Sequence, residues 1–427
     1  MINEKKLFNW AKDIFPIYRS ITGEGVRQTL RYLKTKVPSL KIKSVPSGKK
    51  VFGWKIPLEW SVIEAYIKNK KGKKVVDFKK NNLHLVSYSG PINKKIRLND
   101  LKKRLYFLKN QPSAIPYITS YYSKHWGFCL SFNQFKKLRE DKYNVVIKSK
   151  FKKGFLNYGE VIIPGKTKKE ILITTNICHP SMGNNETSGI VVTTALAQWI
   201  SKIKNRRYTY RILFIPETIG SIAYIHSNKN KLKKNVIAGF VVVCVGDNKV
   251  YSYLSSKRGD TLADRAALYA LNKYIKKFKS YSFLERGSDE RQFSSPGVDL
   301  PICSIMRSKY GTYPQYHTSL DNLNFISGKG LHGSFKILKK TLEIIEINFT
   351  YKNTYKYPCE PKLSNFNLRP PISFKKNYDY DKNLLNILLY ADGKKDLIEI
   401  SNKIKLDIFQ VNEIVHRLLK AKLLKKI

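Results

Sequence analysis

Acidic side chains are scarce in this 427-residue chain, where 31 Asp and Glu face 80 Lys and Arg for a formal net charge of +49. Such an imbalance raises nucleic acid or an anionic membrane surface as a partner. The chain also lacks an arginine-rich arm, an RNA-binding aromatic motif and zinc-finger spacing, and its lysines are spread along the whole length. The excess therefore reads as lysine replacing other solvated residues. Cysteine is sparse as well: Cys129, Cys178, Cys244, Cys303 and Cys359 are odd in number, widely separated and free of any CxxC pair. That pattern excludes a disulfide framework and favours a reducing compartment. No run approaches the roughly 18 apolar residues of a membrane helix, and Met1 to Ile21 has no apolar core of signal-peptide length. A cytoplasmic chain with no membrane partner is expected.

What is present suffices for a folded protein. Apolar residues make up 42% and aromatics 12% of the chain, and the length implies more than one folding unit. Asn3–Tyr18 and Val26–Lys36 have helical periodicity around a Ser20–Gly25 turn. From Val45 to Asn144 short apolar stretches with Gly, Pro and Ser punctuation predict a β-rich unit. From Glu160 onward strands alternate with helices. Glu160–Ile163 and Glu170–Thr175 read as paired strands, Ser188–Ile203 as a helix, Tyr208–Ile215 as a strand and Ser221–Asn228 as a short helix. Val236–Val245 and Leu300–Met306 read as strands, Thr261–Phe278 and Gly330–Asn348 as helices. The fold class is thus α/β, a mostly parallel sheet flanked by helices. Tyr355–Tyr378 reads as a linker, and Leu384–Tyr390, Leu397–Ile404, Ile408–Leu419 and a β tail at Leu423–Lys426 as a winged helix.

In open parallel sheets ligands gather beyond the carboxyl ends of the strands. Four polar residues fall there: His179, Glu217, Asp247 and His317. Two imidazoles with carboxylates suit Zn²⁺ with an open position for water, and Glu217 is the candidate general base. The alternative, unrelated loop residues, stands for any one of them taken alone.

Five segments in order strengthen the set. Cys178-His179-Pro180-Ser181-Met182-Gly183-Asn184-Asn185-Glu186-Thr187-Ser188-Gly189 resembles the loop of the M28-type zinc aminopeptidases that carries a ligand histidine. Pro216–Ser221 resembles a shortened Glu-Glu loop, and Val245-Gly246-Asp247 the position of a ligand aspartate. Gly287–Phe293 is similar to a Ser-Asp-x-x-x-Phe element, and Tyr316–Asp321 to a Tyr-His-Thr-x-x-Asp motif whose histidine is a ligand. Phe15–Gly25 and Phe283–Gln292 further resemble the DUF4910 subgroup, in which a β-rich domain (DUF2172) interrupts the catalytic domain and a winged helix follows. The resemblance implies a zinc-exopeptidase-like domain at 1–44 and 145–352, an insert at 45–144, a linker at 353–378 and a winged helix at 379–427.

The resemblance also implies a zinc-dependent hydrolase of aminopeptidase type acting on a peptide or another amide-containing small substrate. Two departures reshape it. Asn185 stands where the family has a metal-bridging aspartate, and an amide brings no charge to offset two cations. The paired glutamates reduce to Glu217. One zinc held by His179, Asp247 and His317 is the simplest consequence, with a second ion left open and Glu186 weighed as a substitute ligand. Asp289, Arg291, Arg307 and Tyr313 are candidate substrate-binding residues, with loop ion pairing as the alternative. Arg19, Thr22 and Glu24 read as caps of the second helix, and Asp321 as a partner of His317. Trp54, Trp60 and Trp126 of the insert are candidate cleft residues or core. Nucleic acid could be engaged through the outward face of Ile408–Leu419, and a homo-oligomer is left open. A catalytically altered binding or regulatory protein, and an amide hydrolase in polysaccharide or secondary-metabolite assembly, are the competing readings.

Overall fold

The computed structural model describes residues 2–369 and 378–427. The chain divides into two compact units, the second made of Arg265–Tyr274 and Lys339–Ile427.

The first unit is built on an eight-stranded sheet. Its strands are β1 (Lys41–Pro46), β2 (Phe155–Ile163), β3 (Glu170–Asn176), β4 (Thr209–Ile215), β5 (Val236–Val241), β6 (Tyr251–Leu254), β7 (Phe278–Tyr281) and β8 (Ile302–Met306). They lie in the order β1-β2-β4-β3-β5-β8-β6-β7. The centre, β4-β3-β5-β8, is parallel. β1 joins β2, β2 joins β4 and β6 joins β8 antiparallel, while β7 lies parallel to β6 at the edge. Every residue of β3 and β8 is buried, as expected of strands covered on both faces.

The helices of this unit include α1 (Glu4–Ile14), α2 (Glu24–Lys36), α3 (Ser188–Ser201) and α4 (Ile219–Asn235). On α1, Asn3 caps the first turn by accepting from the Lys6 amide, and Leu7, Trp10, Ala11 and Ile14 form one buried stripe. That stripe packs on α3, and α3 packs on β3. At the start of α3 a side chain on Gly189 would meet the Val242 carbonyl oxygen at 2.3 Å, so only glycine admits the approach of helix to sheet.

The strand reading needs correction at two points. Glu160–Ile163 and Glu170–Thr175 do not pair, because β4 lies between β2 and β3. Their short connection suggests a hairpin, but the Arg211 guanidinium on β4 binds Glu160 and Glu170 from either side. The helix expected over Thr261–Phe278 ends at Tyr274, and Phe278–Tyr281 is instead the edge strand β7.

Between β1 and β2 lies the insert. Its main sheet runs Lys74–Asp77, Glu59–Lys68, Lys142–Lys152, Ile92–Arg97, all antiparallel. The long strand Lys142–Lys152 belongs to this sheet, so the chain re-enters the large sheet at Phe155 rather than near residue 145. Trp60 is core, with its indole nitrogen donating to the Ser89 carbonyl at 3.0 Å.

In the second unit, Thr350–Asn353 is the middle strand of a small sheet between Asp392–Asp396 and Leu424–Lys426. Helices Tyr378–Tyr390, Leu397–Ile404 and Ile408–Lys420 complete a winged helix. The strand Thr350–Asn353, expected to fall at the end of the aminopeptidase-like domain, is therefore part of this sheet, and residues 370–377 of the expected linker lie outside the described residues. Asp396 and Glu399 form a capping box, and Asp407 caps the last helix.

Candidate metal and catalytic site

β3 ends at Asn176 and the chain turns through Cys178 and His179 before a π-helical turn, Gly183–Thr187, leads into α3. π-turns of this kind often mark functional positions. Here the turn swings Glu186 back beneath His179. One Glu186 oxygen accepts the backbone amides of Cys178 at 2.8 Å and His179 at 2.7 Å, and lies 2.7 Å from His179 Nδ1. The other accepts from Arg19 Nε at 2.9 Å, and that same nitrogen donates to the His179 carbonyl at 3.1 Å. Burial works against the charge on Glu186, but His179 and Arg19 prevail and hold its carboxyl below the ordinary value. A carboxylate on Nδ1 fixes the ring and leaves Nε2 as its free face.

That face meets Glu217. His179 Nε2 lies 3.7 Å from a Glu217 oxygen. Glu217 follows β4, its backbone amide donating to Cys178 Sγ at 3.2 Å. The next residue, Thr218, has φ +63°, a strained conformation for a β-branched side chain. It is held by a Thr218 amide to Asp289 Oδ1 bond of 2.8 Å and by Arg291 Nη2 donating to the Thr218 hydroxyl at 3.2 Å. Burial raises the Glu217 carboxyl above its usual range, against the pull of His179, Ser288 and Arg291. Asp289, fully buried, is pushed up to about 8 by burial and by the neighbouring Glu217 charge.

His317 supplies the second imidazole from a loop where it too has positive φ, +54°. Its ring stacks on Tyr316 with centroids 4.0 Å apart and lies 5.2 Å from the His179 ring. Burial, then His179, takes its pKa down to about 3. Asn185 Nδ2 lies 3.5 Å from His317 Nε2. Tyr117 of the insert sets its ring edge against both histidines, at 5.3 Å each, and its amide donates to the His317 carbonyl at 2.8 Å.

The remaining candidates divide. Asp289 and Arg291 flank Glu217 and Thr218. Asp247 is buried, but its carboxylate accepts from the Ser308 amide at 2.9 Å, the Ser308 hydroxyl at 3.1 Å and the Lys249 amide at 2.8 Å. The structure thus uses Asp247 to close a loop and leaves it in no hydrogen bond or ion pair with His179, Glu217 or His317. Glu186 orients His179, with hydrogen bonds on both of its oxygens. Arg307 lies over the Tyr251 ring at 3.9 Å, and the Tyr313 hydroxyl donates to Asp321 at 3.1 Å, so neither side chain reaches the histidine pair. Asp321 does not touch the His317 ring and instead accepts the amides of Asn184 at 2.6 Å and Asn185 at 3.0 Å. Arg19 does not cap α2, whose N-cap is Gly23 with no side-chain bond.

Sequence reasoning missed two contributors. Arg19 sits in a stretch singled out only by resemblance; its signal was a buried acid at Glu186 with no nearby cation. Tyr117 lies in the insert and carried no local signal.

Among the described residues Cys178, His179 and Glu186 form the one cluster of three metal-ligating side chains within 4.8 Å. That trio is already closed by its own hydrogen bonds and by Arg19. Beyond those contacts, His179 Nε2 stands 3.7 Å from the Glu217 carboxylate and the His317 ring lies 5.2 Å from the His179 ring, donors of the nitrogen and oxygen types that suit zinc. Asn185 brings no charge to the site, and the Asp247 carboxylate already accepts three hydrogen bonds.

An aminopeptidase-like α/β domain with a C-terminal winged helix is the class these features define. Residues 8–348 match the family described as a domain of unknown function, DUF4910, and residues 349–426 match a winged helix-turn-helix family. The chain belongs to the DUF4910 family. It is 42% identical over 421 residues, 98% of this chain and 96% of the relative, to a Clostridium acetobutylicum protein provisionally named a polysaccharide biosynthesis protein with an aminopeptidase-like domain. A crystal structure from Clostridium acetobutylicum, provisionally described as a peptidase, superposes with a TM-score of 0.92 at 41% identity, covering 99% of this chain and 96% of that one. The zinc aminopeptidase BSAP of Bacillus subtilis shares the fold, with a TM-score of 0.60 at 12% identity over 81% of this chain and 95% of that one. Among the described residues no helix is long and apolar enough to cross a membrane.

Proposed function

We propose that this chain is a cytoplasmic zinc-dependent hydrolase of aminopeptidase type that cleaves an amide bond in a peptide or other small substrate. The observation that carries the reading is the pinning of His179. Its Nδ1 is fixed by the buried Glu186–Arg19 pair, so its Nε2 faces Glu217 at 3.7 Å beside His317. His179 and His317 would hold the metal, with Glu217 adjacent. Bound there, zinc supplies Lewis acidity toward a carbonyl oxygen and acidifies water.

Glu217 carries the proton. Its raised pKa suits a group that accepts a proton from the attacking water and returns it to the leaving nitrogen. The Glu290 charge adds to that shift, and the bond of Asp289 to the Thr218 amide keeps the strained turn that aims Glu217. Arg291 is exposed beside the same turn and is placed to meet an anionic group on the substrate.

The test combines metal content with turnover. The purified chain should hold one zinc per molecule and cleave aminoacyl amides, and Glu217→Gln should keep the metal while losing turnover. A chain that takes up no zinc, or a Glu217→Gln variant with full activity, would sink the proposal. One observation favours a second reading, that of a catalytically altered binding protein: the amide of Asn185 stands against His317 Nε2. Zinc-dependent turnover of any amide counts against it. The provisional name of the Clostridium relative supports a polysaccharide-linked amide as substrate, and comparing N-acylated amino sugars with peptides tests that choice.

A further inference from the structure

The insert contains a cavity of about 650 Å³ that lies outside the residues of the zinc site. The size is that of a small-molecule pocket. Its walls are rings, from Tyr88, Tyr121, Tyr122, Trp126 and Phe151. They are crossed rather than parallel, with Tyr121 at 83° and Phe151 at 59° to Tyr88. The tyrosine hydroxyls are taken: Tyr88 bonds Thr22, Tyr121 bonds Tyr117 and Tyr122 donates to the Lys55 carbonyl. What faces the cavity is therefore ring faces and edges.

The charge there is of one sign. Arg104 and Lys124 line the cavity and no carboxylate does. Arg104 lies over the Trp126 ring at 5.3 Å and beside His125 Nδ1 at 3.0 Å, and among the described residues neither cation is paired with an acid. The guanidinium rests by the indole with one Nη on His125 and no acid on the rest of its fork, so it can still take a carboxylate.

A flat base asks for a parallel slot, whereas a chair-shaped ring offers C–H groups on several sides and packs against crossed aromatic walls. We infer that this cavity binds a sugar unit bearing a carboxylate, with the ring against the Tyr121, Trp126 and Phe151 side chains and the acid on Arg104 and Lys124. One hydrogen bond, Tyr121 to Tyr117, separates the cavity wall from the ring that touches both histidines. Binding in the cavity is nonetheless a separate claim from hydrolysis at the zinc site.

The full-length protein is titrated with glucuronic acid, glucose, adenosine monophosphate and inorganic phosphate, followed by calorimetry and by tryptophan fluorescence. Glucuronic acid should bind saturably, about tenfold or more tighter than glucose, because a charged hydrogen bond separates the two. Lys124 is exposed, so Lys124→Ala leaves the fold intact and should weaken glucuronic acid selectively. Arg104→Gln should weaken it further, with a thermal melt as the folding control. The affinity should be unchanged by chelator, which places it away from the histidines. Equal binding of glucose, preference for adenosine monophosphate, displacement by phosphate alone, no binding at all, or loss with the metal each overturns the inference.

Discussion

Arg19 and Glu186, 167 residues apart, form an ion pair of 2.9 Å in which neither side chain is exposed. Every remaining polar atom of the pair is also bonded, Arg19 to the Ile14 carbonyl and the Thr187 hydroxyl and Glu186 to two amides. Burying two charges is tolerated only under such saturation. The pair ties the turn after α1 to the histidine loop, so its loss reaches both stability and His179.

Arg19→Met leaves Glu186 buried without its cation. The expected destabilisation is about 3–5 kcal/mol, the range for breaking a buried pair from one side. Urea unfolding measures it, and a loss below about 1 kcal/mol would contradict the buried-pair reading. Glu186→Gln keeps the shape but weakens the grip on Nδ1, so zinc affinity should fall roughly 10–100-fold.

Glu217→Gln should reduce turnover by a factor of about 10²–10⁴, the usual contribution of a positioned proton carrier. Zinc held by the two histidines should remain, as read by metal analysis. Equal loss of metal and activity would make Glu217 chiefly a ligand.

Asn185→Asp replaces the amide near His317 Nε2 with a carboxylate. Zinc should bind more tightly, since the change adds charge beside the donors. The stoichiometry should stay at one, because Asp247 remains spent on Ser308 and Lys249. A second equivalent of zinc in the variant would show that Asp247 is released to the metal.

The Asp321 carboxyl is raised from 3.8 to about 6, by burial acting against the Asn184 and Asn185 amides and Tyr313. The folded state thus holds this proton more tightly than the unfolded chain. Its stabilising contribution is complete below about pH 4 and is lost as pH rises through about 6. Asp321→Asn should flatten that part of the stability profile. Unfolding at pH 4.5 and pH 7 compares the two proteins, and identical slopes would refute the assignment.

Much of this architecture was legible in the chain itself. Strongly periodic or fully apolar segments such as Asn3–Ile14, Ile171–Thr175 and Ile302–Met306 reveal element type because burial demands it locally. The positions of His179, Glu217 and His317 after strands followed from the same reading, and Asn185 marked the missing bridge. Strand order was not legible, since the short β2–β3 link is compatible with a hairpin and only Arg211, bound on both sides, shows β4 between them. The roles of Asp247, Glu186, Arg307 and Tyr313 were equally out of reach. A carboxylate or phenol in sequence has no fixed partner, and which one it meets depends on groups brought from far along the chain. The sequence by itself determined that His179, Glu217 and His317 follow strands and that Asn185 carries no charge. Only the tertiary structure decided which partner each group meets, Arg19 for Glu186, Ser308 for Asp247, Tyr251 for Arg307 and Asp321 for Tyr313, because burial drives polar groups to pair with whatever the fold brings near.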